Sequence, residues 1–237
     1  MASFTSYELI LACKQPGCPA CRLEQRAVER YLSNQLYENV NSIDLRDRLR
    51  LSRGFCREHV WLAVDKHLGD ALGFAIIYHD VIRATLRRLE QVLAPPAQGL
   101  AGVQKRISEK VVGSLRAVAQ AISPQRQCPA CHERDAITRM LITALIKEVG
   151  DPQVREALES SDGLCFRHLR LALEGVQDQA EFEKLLAIHR SKLESLRDEL
   201  AELIRKNDHR FIEKGFGAEG DSWRRAIGLV AGSSERD

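Results

Sequence analysis

The chain contains little glycine or proline, almost no excess of charge of one sign and no long apolar run. With 15 Gly and 7 Pro among 237 residues, and 44% apolar and 29% charged residues, it is neither disordered nor collagen-like but globular. Lys and Arg number 35 against 33 Asp and Glu, and a net charge of +2 is too small to indicate nucleic-acid binding. The longest apolar segments, such as Ala71–Tyr78, are too short to span a bilayer.

Targeting signals are also weak. Leu9–Cys13 resembles the segment before a lipidated cysteine, but no Lys or Arg precedes it, and Glu8 directly before it limits the apolar stretch to a few residues. We therefore expect a cytoplasmic protein without membrane association. In that reducing compartment, the seven cysteines indicate metal ligands or redox thiols rather than disulfides.

Apolar residues recur with helical spacing along almost the whole chain, and no segment alternates with the period of a β-strand. This pattern predicts an all-α fold. Proline at the start and glycine or proline after the end of periodic segments give the bounds of eleven expected helices. These helices cover approximately residues 6–14, 19–40, 44–54, 56–68, 70–94, 103–122, 129–149, 152–159, 165–175, 180–206 and 223–230. The segment Ala97–Gly102 is the expected linker between two halves.

Two cysteine motifs occur twice, with the copies about 110 residues apart. Cys18-Pro19-Ala20-Cys21 recurs as Cys128-Pro129-Ala130-Cys131, and the Cys-x-x-His ending of Gly54–His59 recurs in Gly163–His168. Further identities continue the alignment: Arg46 with Arg155, Ser52 with Ser161, Leu62 with Leu171 and Ala63 with Ala172. We infer that a helical unit of about eighty residues was duplicated.

Each repeat thus offers a Cys-x-x-Cys pair and a Cys-x-x-His pair, which together form a tetrahedral Cys₃His ligand set. Such closed four-ligand sets are typical of structural zinc sites. We predict two zinc ions per chain, with each site formed within one repeat. The expected ligands are Cys18, Cys21, Cys56 and His59 in the first site, and Cys128, Cys131, Cys165 and His168 in the second.

These sites imply a pseudo-symmetric helical bundle, expected to form one compact domain. The first metal-binding repeat is assigned to residues 1–94, and a linker with a connecting helix to residues 95–124. The second repeat is assigned to residues 125–206, and a tail with a short helix to residues 207–237.

Three other chemistries fit parts of the pattern. A CPxC motif at a helix start resembles a thiol-redox site, although such sites usually lie on a βαβ scaffold. Cys13, Cys18 and Cys21, with Cys56 downstream, match an iron–sulfur spacing, but Ser123 replaces the equivalent of Cys13 in the second repeat. Cys128–His132 matches a haem attachment motif that the first repeat lacks.

Two histidines, His79 and His189, lie 110 residues apart on apolar helix faces. They are either core residues with an ordinary hydrogen bond or side chains that orient a metal ligand. We state the second interpretation as a hypothesis, in which each ring nitrogen faces a ligand of its own repeat.

Two further features occur in the first half of the chain. Four arginines would form one basic stripe on a continuous helix, a candidate site for phosphate or nucleic acid if it is not a salt-bridged face. They are Arg46, Arg50, Arg53 and Arg57. The small residues of Gly69–Gly73 indicate close helix packing rather than a small-molecule pocket.

The chain resembles an uncharacterised bacterial protein family with a duplicated CPxC and CxxH pattern. The resemblance covers nearly the whole chain and depends on Cys18–Cys21, Gly54–His59, Gly69–Gly73 and Gly217–Trp223. It implies a bacterial origin and supports the metal ligands, but it implies no activity.

The sequence therefore favours a zinc-binding helical module that binds or regulates an unidentified protein or small molecule. The alternative is an enzyme, either a thiol oxidoreductase using the CPxC cysteines or a metal-dependent catalyst using His79 or His189. An iron–sulfur protein and a phosphate or nucleic-acid binder are less favoured. No catalytic residue is assigned.

Overall fold

The computed structural model describes residues 4–93, 107–208 and 215–233. Within these ranges the chain forms α-helices, one 3₁₀ turn and no strand, which confirms the all-α prediction. The first six helices are α1 (Ser6–Cys13), α2 (Pro19–Tyr37), α3 (Ile43–Ser52), α4 (Arg57–Asp65), α5 (Ala71–Leu93) and α6 (Ile107–Ile122). The others are α7 (Pro129–Glu148), α8 (Pro152–Ser160), α9 (Phe166–Gly175), α10 (Gln179–Lys206) and α11 (Ser222–Ala231), which follows a 3₁₀ turn at Ala218–Asp221. None of these helices is both long and apolar enough to cross a bilayer.

Local sequence signals set most helix starts. Proline begins α2, α7 and α8, where its missing N–H costs nothing. Thr5 and Glu8 form a capping box at α1, and Asp151 and Asp178 cap α8 and α10. The start of α3 differs from expectation because Ser42, not Asp44, caps it by accepting the Leu45 N–H at 3.4 Å.

Three predicted helix ends were also wrong. Helix α4 ends at Asp65 rather than near residue 68, and His67 beyond it has a left-handed φ of 53°. Helix α2 ends at Tyr37 rather than near Val40. At this end the Asn34 carbonyl accepts hydrogen bonds from the backbone N–H groups of Glu38 and Asn39 and from the Asn39 side-chain amide. Helix α3 ends at Ser52, because Arg53 adopts a left-handed conformation with φ of 58°. The predicted Ala97–Gly102 linker lies outside the described residues.

The chain forms two compact units. The first unit contains residues 1–27 and 134–237, and the second contains residues 28–133. The boundaries fall within α2 and within α7, so the units do not coincide with the sequence repeats. The N-terminal segment, including α1 and the first CPxC motif, belongs to the same unit as most of the second repeat.

Each unit buries its own set of apolar side chains. The core of the first unit includes Leu9, Leu141, Leu158, Leu164 and Leu185, and α1 packs against α8 there. The fully buried residues of the second unit include Leu32, Leu36, Leu45, Leu49 and Ile77. Burying each such side chain stabilises the fold by roughly 1.5–3 kcal/mol relative to exposure.

The small residues at the start of α5 serve close packing, as the sequence indicated. A Cβ on Gly73 would lie 2.7 Å from the Leu36 carbonyl oxygen, and one on Gly69 would lie 2.8 Å from the Leu36 Cβ. Helix α2 therefore approaches α5 at a distance that only glycine permits.

We predict that Gly73→Ala lowers the free energy of unfolding by about 1–3 kcal/mol, because a backbone carbonyl cannot move aside for the new methyl group. Gly228→Ala is the matched control, since Gly228 also lies within a helix but a Cβ there meets no described atom within 4 Å. The control should stabilise the protein by about 0.5–1 kcal/mol. Urea denaturation measures both changes, and equal effects of the two substitutions would contradict the packing argument.

Candidate metal centres

Two groups of four ligand side chains are brought together, one in each unit. The first cluster consists of Cys18, Cys21, Cys165 and His168, and the second of Cys56, His59, Cys128 and Cys131. Within each cluster the four ligand atoms lie within 4.8 Å of one another, so either cluster could hold one metal ion. All eight ligands predicted from the sequence are present in these clusters.

The predicted pairing of the motifs was wrong. Each cluster takes its CPxC pair from one repeat and its CxxH pair from the other, rather than both pairs from the same repeat. The reason is the course of the chain, since residues 1–27 belong to the same compact unit as residues 134–237. The Cys18/Cys21 pair therefore meets Cys165 and His168, which lie about 150 positions later.

The first cluster has nearly even spacing between its ligand atoms. Nδ1 of His168 lies 3.6, 3.4 and 3.3 Å from Sγ of Cys18, Cys21 and Cys165, respectively. Sγ of Cys21 and Sγ of Cys165 are 3.7 Å apart. Cys18, Cys165 and His168 are buried, whereas Cys21 is partly exposed.

The second cluster has the same ligand set. Nδ1 of His59 lies 3.1 Å from Sγ of Cys56, 3.3 Å from Sγ of Cys131 and 3.9 Å from Sγ of Cys128. Sγ of Cys56 and Sγ of Cys131 are 3.5 Å apart, and both residues are partly exposed. Cys128 and His59 are buried.

Helix starts position the ligands. Cys56 and Cys165 are the residues immediately before α4 and α9, and each has extended backbone angles. The histidine three positions later lies in the first helical turn, so both side chains reach the same point. Gly54 and Gly163, with φ of 92° and 82°, form the turns that precede these cysteines.

Glu24 supports the histidine of the first cluster, and the sequence analysis missed it. Its buried carboxylate lies 3.1 Å from Nε2 of His168 and accepts hydrogen bonds from Arg167, at 2.8 Å, and from Thr138. Burial alone would raise the pKa of Glu24, but these three partners outweigh it and lower the pKa to about 2. An ionised Glu24 therefore fixes the imidazole with Nε2 as donor and Nδ1 towards the sulfurs.

The protonation of His168 is linked to metal binding at the first cluster. Burial lowers the pKa of His168, but its contacts with Cys165, Cys21 and Glu24 outweigh burial and raise it to about 11. An ion at Nδ1 requires that nitrogen to be free of its proton, so metal binding at the first cluster releases a proton from the histidine.

The charges beside the motifs agree with the observed pairing. Glu24 follows the first CPxC motif and binds Arg167 of the second CxxH motif. At the equivalent positions of the other motif pair the sequence has Arg134 and Glu58, which again carry opposite charges. Pairing within a repeat would instead group Glu24 with Glu58 and Arg134 with Arg167. The first repeat thus has an acidic residue beside each motif and the second repeat has a basic one, and this difference is the sequence signal that distinguishes the two pairings.

The C-terminal segment covers the first cluster. A Cβ on Gly232 would lie 3.5 Å from Sγ of Cys21 and 4.0 Å from Sγ of Cys165. Ser233 Oγ accepts the backbone N–H of Cys18 at 3.1 Å. Sequence reasoning assigned no role to this part of the tail, because Gly232 and Ser233 belong to no recognisable motif.

The hypothesis that His79 and His189 orient metal ligands was wrong in the form proposed. His189 is buried, but its Nδ1 donates to the Leu185 carbonyl at 2.8 Å and its Nε2 accepts the Leu164 N–H at 2.9 Å. Burial accordingly lowers its pKa. His189 thus hydrogen-bonds to the backbone of the residue before Cys165 and not to a metal-ligating atom. His79 is exposed.

Tyr78, not His79, takes the equivalent place in the second unit. A Cβ on Gly54 would lie 3.0 Å from the Tyr78 ring, just as a Cβ on Gly163 would lie 3.3 Å from the His189 ring. The 110-residue spacing between the histidines is therefore not a structural equivalence. Burial raises the pKa of Tyr78 to about 12, so its hydroxyl stays protonated.

The predicted basic stripe is not continuous, because α3 ends at Ser52 and Arg57 begins the next helix. Arg46 and Arg50 both bind Asp80, whose side chain is 3% exposed, at 3.3 and 2.7 Å. Arg83 adds a third contact with Asp80 at 3.1 Å. Arg53 donates instead to the Arg50 and Ala121 carbonyls. Three of the four arginines therefore make structural contacts within the protein, and only Arg57 is exposed.

Cys13 does not join either cluster. It is buried near Ser161 and Lys192, and burial raises the pKa of its thiol. Cys56, the fourth residue of the predicted iron–sulfur spacing, belongs to the second cluster rather than to that of Cys18 and Cys21. The structure therefore does not assemble that four-cysteine set.

Comparison with known proteins identifies the family. A model of a family of unknown function, DUF6062, matches residues 11–237. The chain belongs to this family. It is also 28% identical over 225 residues to an uncharacterised 23.9 kDa protein in the xynA 3′ region of Caldicellulosiruptor sp. (strain Rt8B.4), covering 93% of this chain and 97% of that protein. No solved structure matches the chain.

The Glu24 contact predicts a selective effect on metal affinity. We expect Glu24→Ala to weaken metal binding at the first cluster by about 10–100-fold, because the histidine loses the group that orients it. A competitive chelator titration measures both sites, with the second cluster as the internal control. Glu38→Ala, which removes an exposed carboxylate from just beyond α2, should leave both affinities unchanged. Equal weakening of the two sites by Glu24→Ala would contradict this role.

The Asp80 contacts predict a stability effect that depends on pH. Asp80→Asn should lower the free energy of unfolding by about 2 kcal/mol at neutral pH, because three arginines lose their buried counterion. The arginines themselves are partly exposed, so solvent screens part of this interaction but not all of it. Burial alone would raise the pKa of Asp80, but the arginines outweigh it and lower the pKa from 3.8 to about 2. The contribution is therefore complete above about pH 4 and is lost as the pH falls towards 2.

Urea denaturation at neutral pH and at about pH 3 measures this difference between wild type and Asp80→Asn. Asp44→Asn is the control, since Asp44 makes only an exposed i,i+4 pair with Arg48 and should cost less than about 0.5 kcal/mol. A difference that stays constant between the two pH values would contradict the assignment.

Proposed function

We propose that the chain holds one zinc ion in each cluster and that these ions are structural. The observation that carries the proposal is the ligand geometry. Zinc with Zn–S bonds of about 2.3 Å in a tetrahedron requires sulfur atoms about 3.8 Å apart. The sulfur atoms of Cys21 and Cys165 in the first cluster lie 3.7 Å apart, and those of Cys56 and Cys131 in the second lie 3.5 Å apart.

The donor set supports zinc over harder ions, because three thiolates and one imidazole suit a borderline-soft cation. The short distances support a single ion per cluster, since the ligands of a multi-iron core bind different iron atoms. Four protein ligands also fill a tetrahedral shell, which leaves no position for substrate.

The thiol-redox enzyme is the weaker candidate. The first cysteine of each CPxC motif, Cys18 or Cys128, is buried, whereas a catalytic thiol must be accessible to its substrate. Burial also raises the pKa of the Cys18 thiol, which opposes its activation as a nucleophile.

With the ions as cross-links, we propose that the chain serves as a helical binding or regulatory module. Its partner is a protein or small molecule, and it acts in the cytoplasm. Each cluster is closed by its own four ligands, which leaves the surrounding helices to provide recognition.

Metal analysis tests the proposal. Purified protein should contain two zinc ions per chain and show no visible absorption, and cobalt substitution should produce the intense bands of a thiolate-rich tetrahedral site. Cys165→Ser should lower the zinc content to one ion. Cys13→Ser is the matched control, because Cys13 is also buried but lies outside both clusters, and it should retain two ions.

Chelation tests whether the ions are structural. Because the binding free energy of a structural ion contributes to folding, removal of zinc should lower the melting temperature. An unchanged thermal transition after verified metal removal would contradict the structural role. Iron in place of zinc would contradict the metal assignment alone.

A further inference from the structure

The two clusters have the same ligands but differ in protection. In the first cluster, Cys21 is the one partly exposed cysteine, and the backbone of Gly232 lies against its sulfur. In the second cluster, Cys56 and Cys131 are both partly exposed. A small oxidant therefore meets two partly exposed cysteines in the second cluster, but only one in the first cluster, and Gly232 lies close to the sulfur of that one.

The exposed residues of the second cluster are also a close pair. Sγ of Cys56 lies 3.5 Å from Sγ of Cys131, and a disulfide requires about 2.05 Å. The two sulfurs therefore need to approach by about 1.5 Å. The ligands that remain, Cys128 and His59, are both buried.

We propose that the second cluster is an oxidant-sensitive zinc site, at which hydrogen peroxide links Cys56 to Cys131 and releases the ion, while the first cluster keeps its zinc. This inference rests on the proposed zinc binding. It assigns unequal roles to two sites that the sequence presents as equivalent: a permanent structural ion in one unit and a releasable ion in the other.

The reaction balances with peroxide as the oxidant. One thiolate attacks the peroxide O–O bond, which gives a sulfenic acid and hydroxide. The second thiolate displaces hydroxide from the sulfenic sulfur and forms the S–S bond. Two thiolates lose two electrons, peroxide gains them, and two protons from solvent convert the hydroxides to water. Zinc then has two protein ligands instead of four and dissociates.

The C-terminal segment explains why the first cluster resists this reaction. Ser233 Oγ accepts the Cys18 N–H, which anchors the segment over the cluster, and Gly232 with φ of 92° brings the backbone against the sulfurs. Glu24 also holds His168 through Nε2, the ring nitrogen that does not face the sulfur atoms. This cover therefore hinders the approach of an oxidant to Cys21 and Cys165.

The test follows zinc release from the full chain during titration with hydrogen peroxide, using a chromophoric zinc indicator. Disulfides are located by alkylation and peptide mass spectrometry. We expect one of two ions to be released in a fast phase, together with a Cys56–Cys131 disulfide. Simultaneous release of both ions, a Cys21–Cys165 disulfide formed first, or a Cys128–Cys131 linkage would overturn the proposal.

Two truncated chains test the role of the cover. A chain that ends at Ala231 lacks Gly232 and Ser233 and should lose both ions rapidly, whereas a control chain that ends at Ser233 should still lose one. Circular dichroism verifies that both retain their helices. Ser233→Ala, which removes the anchoring oxygen alone, should accelerate release from the first cluster in the full-length chain. Protection that persists in the Ala231 chain would overturn the role of the segment.

The outcomes separate this inference from the one on which it rests. A protein that contains no zinc before peroxide is added contradicts the proposed function. A protein that contains two ions and loses them together contradicts only the inequality of the sites.

Discussion

The structure depends on one constraint: ligands from distant parts of the chain must meet at a single point. In the first cluster, Cys18 and Cys21 meet Cys165 and His168 across sequence separations of 144 to 150 residues. Closing such a long segment costs conformational entropy, which the core of the unit and, as we propose, the bound ion offset. The N-terminal segment consequently belongs to the unit formed by the C-terminal half.

The supporting contacts of the first cluster follow from this constraint. Glu24 reaches His168 and Arg167 only because α2 begins beside α9, and these contacts provide the opposite charge that pairing within a repeat would lack. The same arrangement places the end of α11 where Gly232 covers the sulfurs of Cys21 and Cys165. Thus the electrostatic support and the cover of the first cluster both arise from the exchange of motifs between repeats.

Much of this fold was predictable from the sequence because helices are specified locally. Apolar periodicity and the prolines of the CPxC motifs located most helices, and ligand spacing identified all eight metal-binding candidates. The pairing of the motifs was not predictable from spacing, since two chemically identical CxxH motifs compete for each CPxC motif. The charges of Glu24, Glu58, Arg134 and Arg167 carried that information, but their relevance depends on knowing that they lie next to the ligands.

Long-range packing also explains the other errors. A spacing of 110 residues suggested that His79 and His189 are equivalent, but the ring that packs on Gly54 belongs to Tyr78. Likewise, the arginine stripe required a helix that continues past Ser52, and no local signal revealed that Asp80 would bind three arginines. Such contacts between helices distant in sequence have no periodic signature.

The exchange of motifs is tested most directly by cadmium NMR of the protein loaded with the NMR-active cadmium isotope. Two resonances with the shifts of Cys₃His sites are expected, one from each cluster. The account predicts that Cys18→Ser and Cys165→Ser perturb the same resonance, while Cys56→Ser and Cys128→Ser perturb the other. A shared effect of Cys18→Ser and Cys56→Ser on one resonance would show that each repeat forms its own site, and would contradict the account.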